Sequence, residues 1–221
     1  MNPREIDLFI KEENRKNIEK FEKISTKSDI TLLHRLYQES QDLGYDIQYP
    51  YDFMYIGDKA NDLIPVIIKH IGKFDNEGIS DQLRSALGLN KFYEATEFLL
   101  NEFMKIKSKT HDPRRWSIAQ AIYKIKDKRF IDGYIDLIKD EDYRIDTDWF
   151  VLLLGKWKNE KALPTILELL SSNEKQTLMA TIQSLGNYRK KELDKYVEPF
   201  LSHKDRDIRK RAESALKKTS S

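Results

Sequence analysis

The feature that most constrains this chain is a phrase that recurs along it. Ile56-Gly57 is followed by Leu63-Ile64-Pro65-Val66-Ile67-Ile68, and Leu154-Gly155 by Ala162-Leu163-Pro164-Thr165-Ile166-Leu167. Leu185-Gly186 precedes Leu193 and Tyr196-Val197-Glu198-Pro199-Phe200-Leu201, and Leu87-Gly88 precedes Ala95 and Phe98-Leu99-Leu100. A fifth copy carries Ile122-Tyr123 at the marker, then Phe130-Ile131 and Ile135-Asp136-Leu137-Ile138. The markers at 57, 88, 123, 155 and 186 lie 31, 35, 32 and 31 residues apart. That is the period of helical-hairpin repeats, in which each unit contacts mainly its neighbours.

Each copy reads as a first helix ending near the marker, a short charged turn such as Lys156-Trp157-Lys158-Asn159, and a second helix with paired apolar residues. Ile118, Ala119, Ile122 and Ile125 share one helical face, as do Ile208, Ala212, Ala215 and Leu216. Pro65 and Pro164 suit the first turn of the second helix, where an amide has no intrahelical acceptor. The marker glycine serves either a left-handed helix end or the close approach of the next helix. Ser80 and Asp205 are expected as N-caps. The segment Asp148 to Gly155 is apolar almost all round, as an inner helix would be. A single hairpin cannot bury its apolar face, so the copies must stack.

The Leu-Gly pair, charged turn, Ala-Leu-Pro and paired leucines resemble the HEAT family, including its bacterial phycobilin-lyase-type branch. The match spans Ile56 to Lys218. Asp205-Arg206-Asp207-Ile208-Arg209, with Ala212, Ala215 and Leu216, is similar to the family's Asp-x-x-Val-Arg-x-x-Ala-x-x-Ala-Leu element; the other copies lack that arginine. The resemblance implies an all-α superhelical solenoid of about five HEAT-like hairpins. The expected division is an N-terminal helical cap and aromatic loop over 1–55, and the repeats over 56–221.

The cap is expected to hold two charged helices, roughly Pro3 to Ile24 and Ser28 to Leu43, the second with Ile30, Leu33, Leu36 and Tyr37 along one stripe. The loop from Gly44 to Tyr55 carries four tyrosines and Phe53. It is read as rings packed over the first repeat, with a contact loop as the competing reading, because exposed clustered aromatics invite aggregation.

Composition narrows the chemistry. The chain has 221 residues with 39% hydrophobic and 34% charged, 8 Gly and 6 Pro, which suits helices. It has no cysteine, which excludes disulfides, thiolate metal sites and cysteine nucleophiles. Its N-terminus is too charged for a signal peptide and its apolar runs are too short to span a bilayer, so a cytoplasmic location without membrane contact is expected. His34, His70, His111 and His203 show no metal-binding spacing. The acidic run Asp140-Glu141-Asp142 with Asp146 and Asp148 has Arg144 and Ile145 where a calcium loop needs an oxygen ligand and glycine. It reads as a solvated loop. No phosphate-binding glycine loop or nucleophile elbow occurs, so no catalytic residue, metal or cofactor is assigned.

Two constellations qualify as binding surfaces. One is Arg114-Arg115-Trp116 with Tyr123, which lies on the same helical flank as Trp116; cations beside tryptophan suit acidic or aromatic ligands, although packing between repeats is favoured for Trp116 itself. The other is basic: Arg189, Lys190 and Lys191 with Lys204, Arg206, Arg209, Lys210, Arg211, Lys217 and Lys218, within a stretch from Gly186 to Ser221 holding 11 Lys and Arg against 6 Asp and Glu, which suits phosphate or an acidic protein. The competing reading there is a solubilising end cap, with Asp205–Arg209 and Asp207–Arg211 as helical ion pairs.

The expected function is a non-enzymatic scaffold that binds a protein partner along stacked second helices. The resemblance also raises nucleic-acid binding, since some HEAT proteins are DNA alkylation repair glycosylases and Asp146-Thr147-Asp148-Trp149 is a faint echo of them. That alternative is not favoured, because the basic excess sits at one end of an otherwise slightly acidic chain. A chromophore lyase ranks last.

Overall fold

A computed structural model describes residues 25–108 and 110–219. The expected first helix, Pro3 to Ile24, lies outside the described residues. Every regular element among the described residues is helical. The chain divides into two compact units, Met1–Ala95 and Thr96–Ser221.

In the first unit, α1 spans Lys27–Asp42. Its start is fixed by a reciprocal pair: the Asp29 amide donates to Thr26 Oγ1 at 3.1 Å, and the Thr26 amide to Asp29 Oδ2 at 3.2 Å. This capping box satisfies amides that have no helical acceptor. Asp29 is wholly buried because its carboxylate also accepts the amides of Asp75 and Asn76, at 2.7 and 3.2 Å. Leu33 and Leu36 turn inward. Helix α2 spans Ile64–His70 with Pro65 in its first turn, and α3 spans Glu77–Leu89.

Two expectations fail here. The α3 cap is Asn76, whose Oδ1 accepts the Gly78 amide at 3.0 Å. Ser80 is buried inside the helix, and its hydroxyl instead accepts the Gly72 amide at 3.1 Å. The first repeat also lacks a first α-helix, since a single tight turn, Asp52–Tyr55, precedes the Ile56-Gly57 marker. Asn90 holds that turn in place, donating to the Phe53 carbonyl at 2.7 Å and accepting the Gly57 amide at 2.9 Å. The aromatic loop is split in character. Ile47 and Phe53 are buried, while Tyr51 and Tyr55 face outward with their hydroxyls 2.5 Å apart.

In the second unit the helices alternate between two layers. One holds α5 (Pro113–Ile125), α7 (Asp148–Lys156), α9 (Lys175–Tyr188) and α11 (Arg206–Thr219). The other holds α4 (Thr96–Lys105), α6 (Ile131–Lys139), α8 (Leu163–Glu168) and the short α10 (Asp194–Val197). Within the first layer α5 packs on α7, α7 on α9 and α9 on α11. Asp112 and Asp205 cap α5 and α11, accepting the amides of Arg114 at 2.9 Å and Asp207 at 2.8 Å. Between the layers, Phe150 stacks on Tyr134 at 5.2 Å and meets Phe103 edge-on at 5.3 Å, all three fully buried. Burying rings of this size contributes roughly 1.5–3 kcal/mol each.

The marker glycines of this unit resolve in favour of close approach. A methyl group on Gly155 would lie 2.4 Å from Ser184 Cβ, and one on Gly186 would lie 2.7 Å from Ala215 Cα. Ser184 uses that proximity to donate to the Val151 carbonyl at 2.8 Å. The left-handed position falls three residues beyond the marker and is basic: Lys126, Lys158 and Arg189 have φ of 63°, 53° and 56°. At Lys158 the pattern is a Schellman motif, with the Asn159 amide reaching the Leu154 carbonyl and the Lys158 amide the Gly155 carbonyl, both at 3.1 Å.

Candidate functional site

The α5/α7/α9/α11 layer turns one face away from the α4/α6/α8/α10 layer, and that face carries the candidate site. Residues of all four helices meet there: Tyr123 from α5, Leu152 and Lys156 from α7, Gln183 and Asn187 from α9, and Lys218 from α11, with Leu152 and Gln183, and Lys156, Asn187 and Lys218, each 31 residues apart. With the left-handed Lys158 and Arg189 at the rim, they enclose a recess of about 490 Å³. A neighbouring recess of about 510 Å³ shares Arg189 and Lys218 and adds Lys210, Glu213, Ser214 and Lys217. The sequence places the expected binding surface along the second helices, and this recess lies on the first helices instead. The second helices alternate with the layer that holds the recess; they do not line it.

The α5–α7 end is aromatic. Trp149 is the hub, with Tyr123 at 4.9 Å and Trp116 at 5.5 Å between ring centroids. Trp116 remains 38% exposed, Tyr123 and Trp149 are half-buried, and the Trp149 indole Nε1 is buried without a hydrogen-bond partner among the described residues.

The α9–α11 end is cationic. Arg211 Nη1 donates to Gln183 Oε1, and Lys218 Nζ to Asn187 Oδ1 at 2.7 Å. Both acceptors are neutral amides. No ion pair joins Arg189, Arg211 or Lys218 to a carboxylate among the described residues. Burial, followed by the nearby Arg211 and Arg189 guanidiniums, holds the Lys218 ammonium below the usual lysine range.

The two constellations picked from the sequence thus share a site, since Tyr123 and Arg189 line one recess and Arg189 and Lys210 line the next. Other predicted residues stand apart. Arg115 is fully buried and is removed from the surface. Its guanidinium binds Asp146 Oδ2 at 2.8 Å and the carbonyls of Asp142 and Thr110 at 2.8 and 3.1 Å. Arg114 is exposed and pairs with Asp112 at 2.9 Å. Lys190 pairs with Glu160 at 2.8 Å, Lys191 opens an exposed turn, and Arg206 begins α11 on the surface.

The acidic loop is corrected as well. Asp146 is 3% exposed, because it is the counter-ion of Arg115. The expected α11 pairs do not form either. Asp205 and Asp207 both bind Lys175 from α9, at 2.8 and 2.6 Å, while Arg209 turns to the carbonyls of His203 and Lys204. Sequence reasoning missed Trp149, Leu152, Lys156, Gln183 and Asn187 as site residues, whereas Arg211 and Lys218 belong to the basic C-terminal stretch it singled out. The available signal was register: Leu152 and Gln183 stand three residues before their marker glycines, and Lys156 and Asn187 one after.

Stacked helical hairpins of this period define a helical-repeat protein. Residues 131–217 match the model of HEAT repeats, and the helices of the second unit stack as HEAT-like repeats do. No curated protein matches the sequence. Among solved structures the chain is similar to the complex of CpcE and CpcF of phycocyanin lyase from Nostoc sp. PCC7120, with 17% identity over 71% of this chain and a TM-score of 0.57. The chain spans 64% of the length of that lyase chain. It is also similar to a designed armadillo repeat protein in complex with the peptide (KR)4, with 14% identity, coverage of 88% of this chain and all of that one, and a TM-score of 0.50. No helix among the described residues is long and apolar enough to cross a membrane.

Proposed function

We propose that this protein is a non-enzymatic interaction scaffold that lays an extended segment of a partner protein along the α5/α7/α9/α11 face. The observation that carries the reading is the recess to which all four helices contribute, with a ring and a leucine beside amides and cations. Such a surface offers apolar contact for anchoring and polar groups for orientation, and a segment crossing several repeats gains from each in turn. The designed armadillo protein, held in complex with a peptide, supports a peptide-binding use of this architecture.

The test is affinity capture from the lysate of the cell that makes the protein, after nuclease treatment, with Leu152→Asp and Tyr123→Ala variants in parallel. A stoichiometric protein retained by wild type and lost from both folded variants is expected. Retention by Leu152→Asp, or recovery of nucleic acid alone before nuclease and nothing after it, overturns the reading.

A further inference from the structure

We infer that Arg189, Arg211 and Lys218 form a carboxylate-binding subsite, which holds an acidic stretch of the bound segment. This rests on the scaffold reading and adds the chemistry of the partner. Three cations from α11 and the end of α9 gather, and two of them, Arg211 and Lys218, donate to the neutral amides Gln183 and Asn187. Like charges brought together repel, and the Lys218 ammonium is lowered first by burial and then by the Arg211 and Arg189 guanidiniums. A carboxylate replacing an amide oxygen relieves the repulsion and forms charge-assisted hydrogen bonds, which are shorter and roughly twice as strong as neutral ones.

The geometry also sets a spacing. Packed helices lie about 8–10 Å apart, and an extended chain rises about 3.3 Å per residue, so one repeat corresponds to about three residues. A residue seated on Leu152 of α7 is therefore followed about six positions later by the acidic residues that meet α11. An acidic polypeptide fits better than nucleic acid, whose backbone carries a charge at every nucleotide. Here Arg189, Arg211 and Lys218 gather at the α9–α11 end, and the other end presents Trp116, Tyr123 and Trp149 with the unpaired Oδ1 of Asp148 close by in sequence.

The experiment is fluorescence anisotropy on the full chain with three labelled probes of equal length. The first carries a leucine–tryptophan pair, a glycine–serine spacer of about six residues and a run of glutamates; the second replaces glutamate with lysine; the third is oligothymidylate. The glutamate probe is expected to bind best, and Arg211→Gln with Lys218→Gln is expected to weaken it about tenfold. Gln183→Glu supplies an internal carboxylate, so it is expected to compete with the probe and to raise the melting temperature. Equal binding of the lysine probe, tighter binding of oligothymidylate, or glutamate binding unchanged in both variants overturns the inference. If the captured partner depends on Leu152 but is indifferent to Arg211 and Lys218, the scaffold reading stands and the acidic subsite falls. Loss of dependence on Leu152 removes the scaffold reading itself.

Discussion

The Arg115 guanidinium and the Asp146 carboxylate, 31 positions apart in the chain, meet at 2.8 Å with both side chains almost fully excluded from solvent. Asp146 has φ of 77° and also accepts the Asp112 amide at 3.0 Å, so one carboxylate ties the loop before α7 to the start of α5. Breaking a buried pair on one side leaves an uncompensated charge. Arg115→Met is expected to destabilise the protein by about 3–5 kcal/mol. Arg114→Met, next door and exposed, removes a surface ion pair and is expected to change stability by about 1 kcal/mol or less. Urea unfolding of the two variants separates them, and equal losses contradict the assignment.

Glycine replacement distinguishes contact from conformational freedom. Gly155→Ala places a methyl group against Ser184 and is expected to lower stability by about 1–3 kcal/mol, through overpacking between α7 and α9. Gly133 sits within α6 with nothing within 4 Å of an added methyl group. Gly133→Ala is expected to raise stability by about 0.5–1 kcal/mol, from helix propensity alone. Thermal unfolding of both variants reads opposite signs.

A buried carboxyl gives the stability a pH dependence. Asp148 is pushed up to about 6, first by burial and then by the carboxylates of Asp146 and Glu174, against a lowering hydrogen bond with Thr177 and the nearby His111. An unfolded aspartate titrates near 3.9. Between these values the folded chain binds more protons than the unfolded chain, so stability falls as pH rises through the window and then levels off. Asp148→Asn is expected to abolish this slope and to exceed wild type by about 1–3 kcal/mol once Asp148 is ionised. Denaturant midpoints on either side of the window check it; identical slopes in both proteins dispose of the claim.

Lys158 occupies a left-handed backbone position that costs an L-residue about 1–2 kcal/mol. Lys158→Gly is expected to stabilise the fold by up to about 1 kcal/mol while weakening binding of the glutamate probe. Lys156→Gly, still inside α7, is expected to destabilise by a similar amount. Parallel melting and anisotropy measurements test both halves.

Much of the fold was legible because it is periodic. The apolar stripe of Ile118, Ala119, Ile122 and Ile125 is buried as its spacing demands, Pro65 and Pro164 fall in first helical turns, and Asp205 caps α11. Local chemistry misled where a distant residue offered a better partner. Lys175 draws Asp205 and Asp207 away from Arg209 and Arg211, Asp146 draws Arg115 inward, and the amide of Gly72 claims Ser80. The site was half legible for the same reason. Trp116 with Tyr123, and Arg189 with Lys210, were visible as separate clusters, but their meeting depends on the stacking of four helices that no single stretch of sequence encodes.

The left-handed cations have one more consequence. Of the recess residues, Lys158 and Arg189 project from the turns that end their helices, whereas Leu152, Gln183 and Asn187 project from the helices themselves. Substitutions along a helix can therefore change the floor of the recess without disturbing its charged margin. On the proposed scaffold role, related chains that differ in partner are expected to diverge first at the floor and to keep the charged margin.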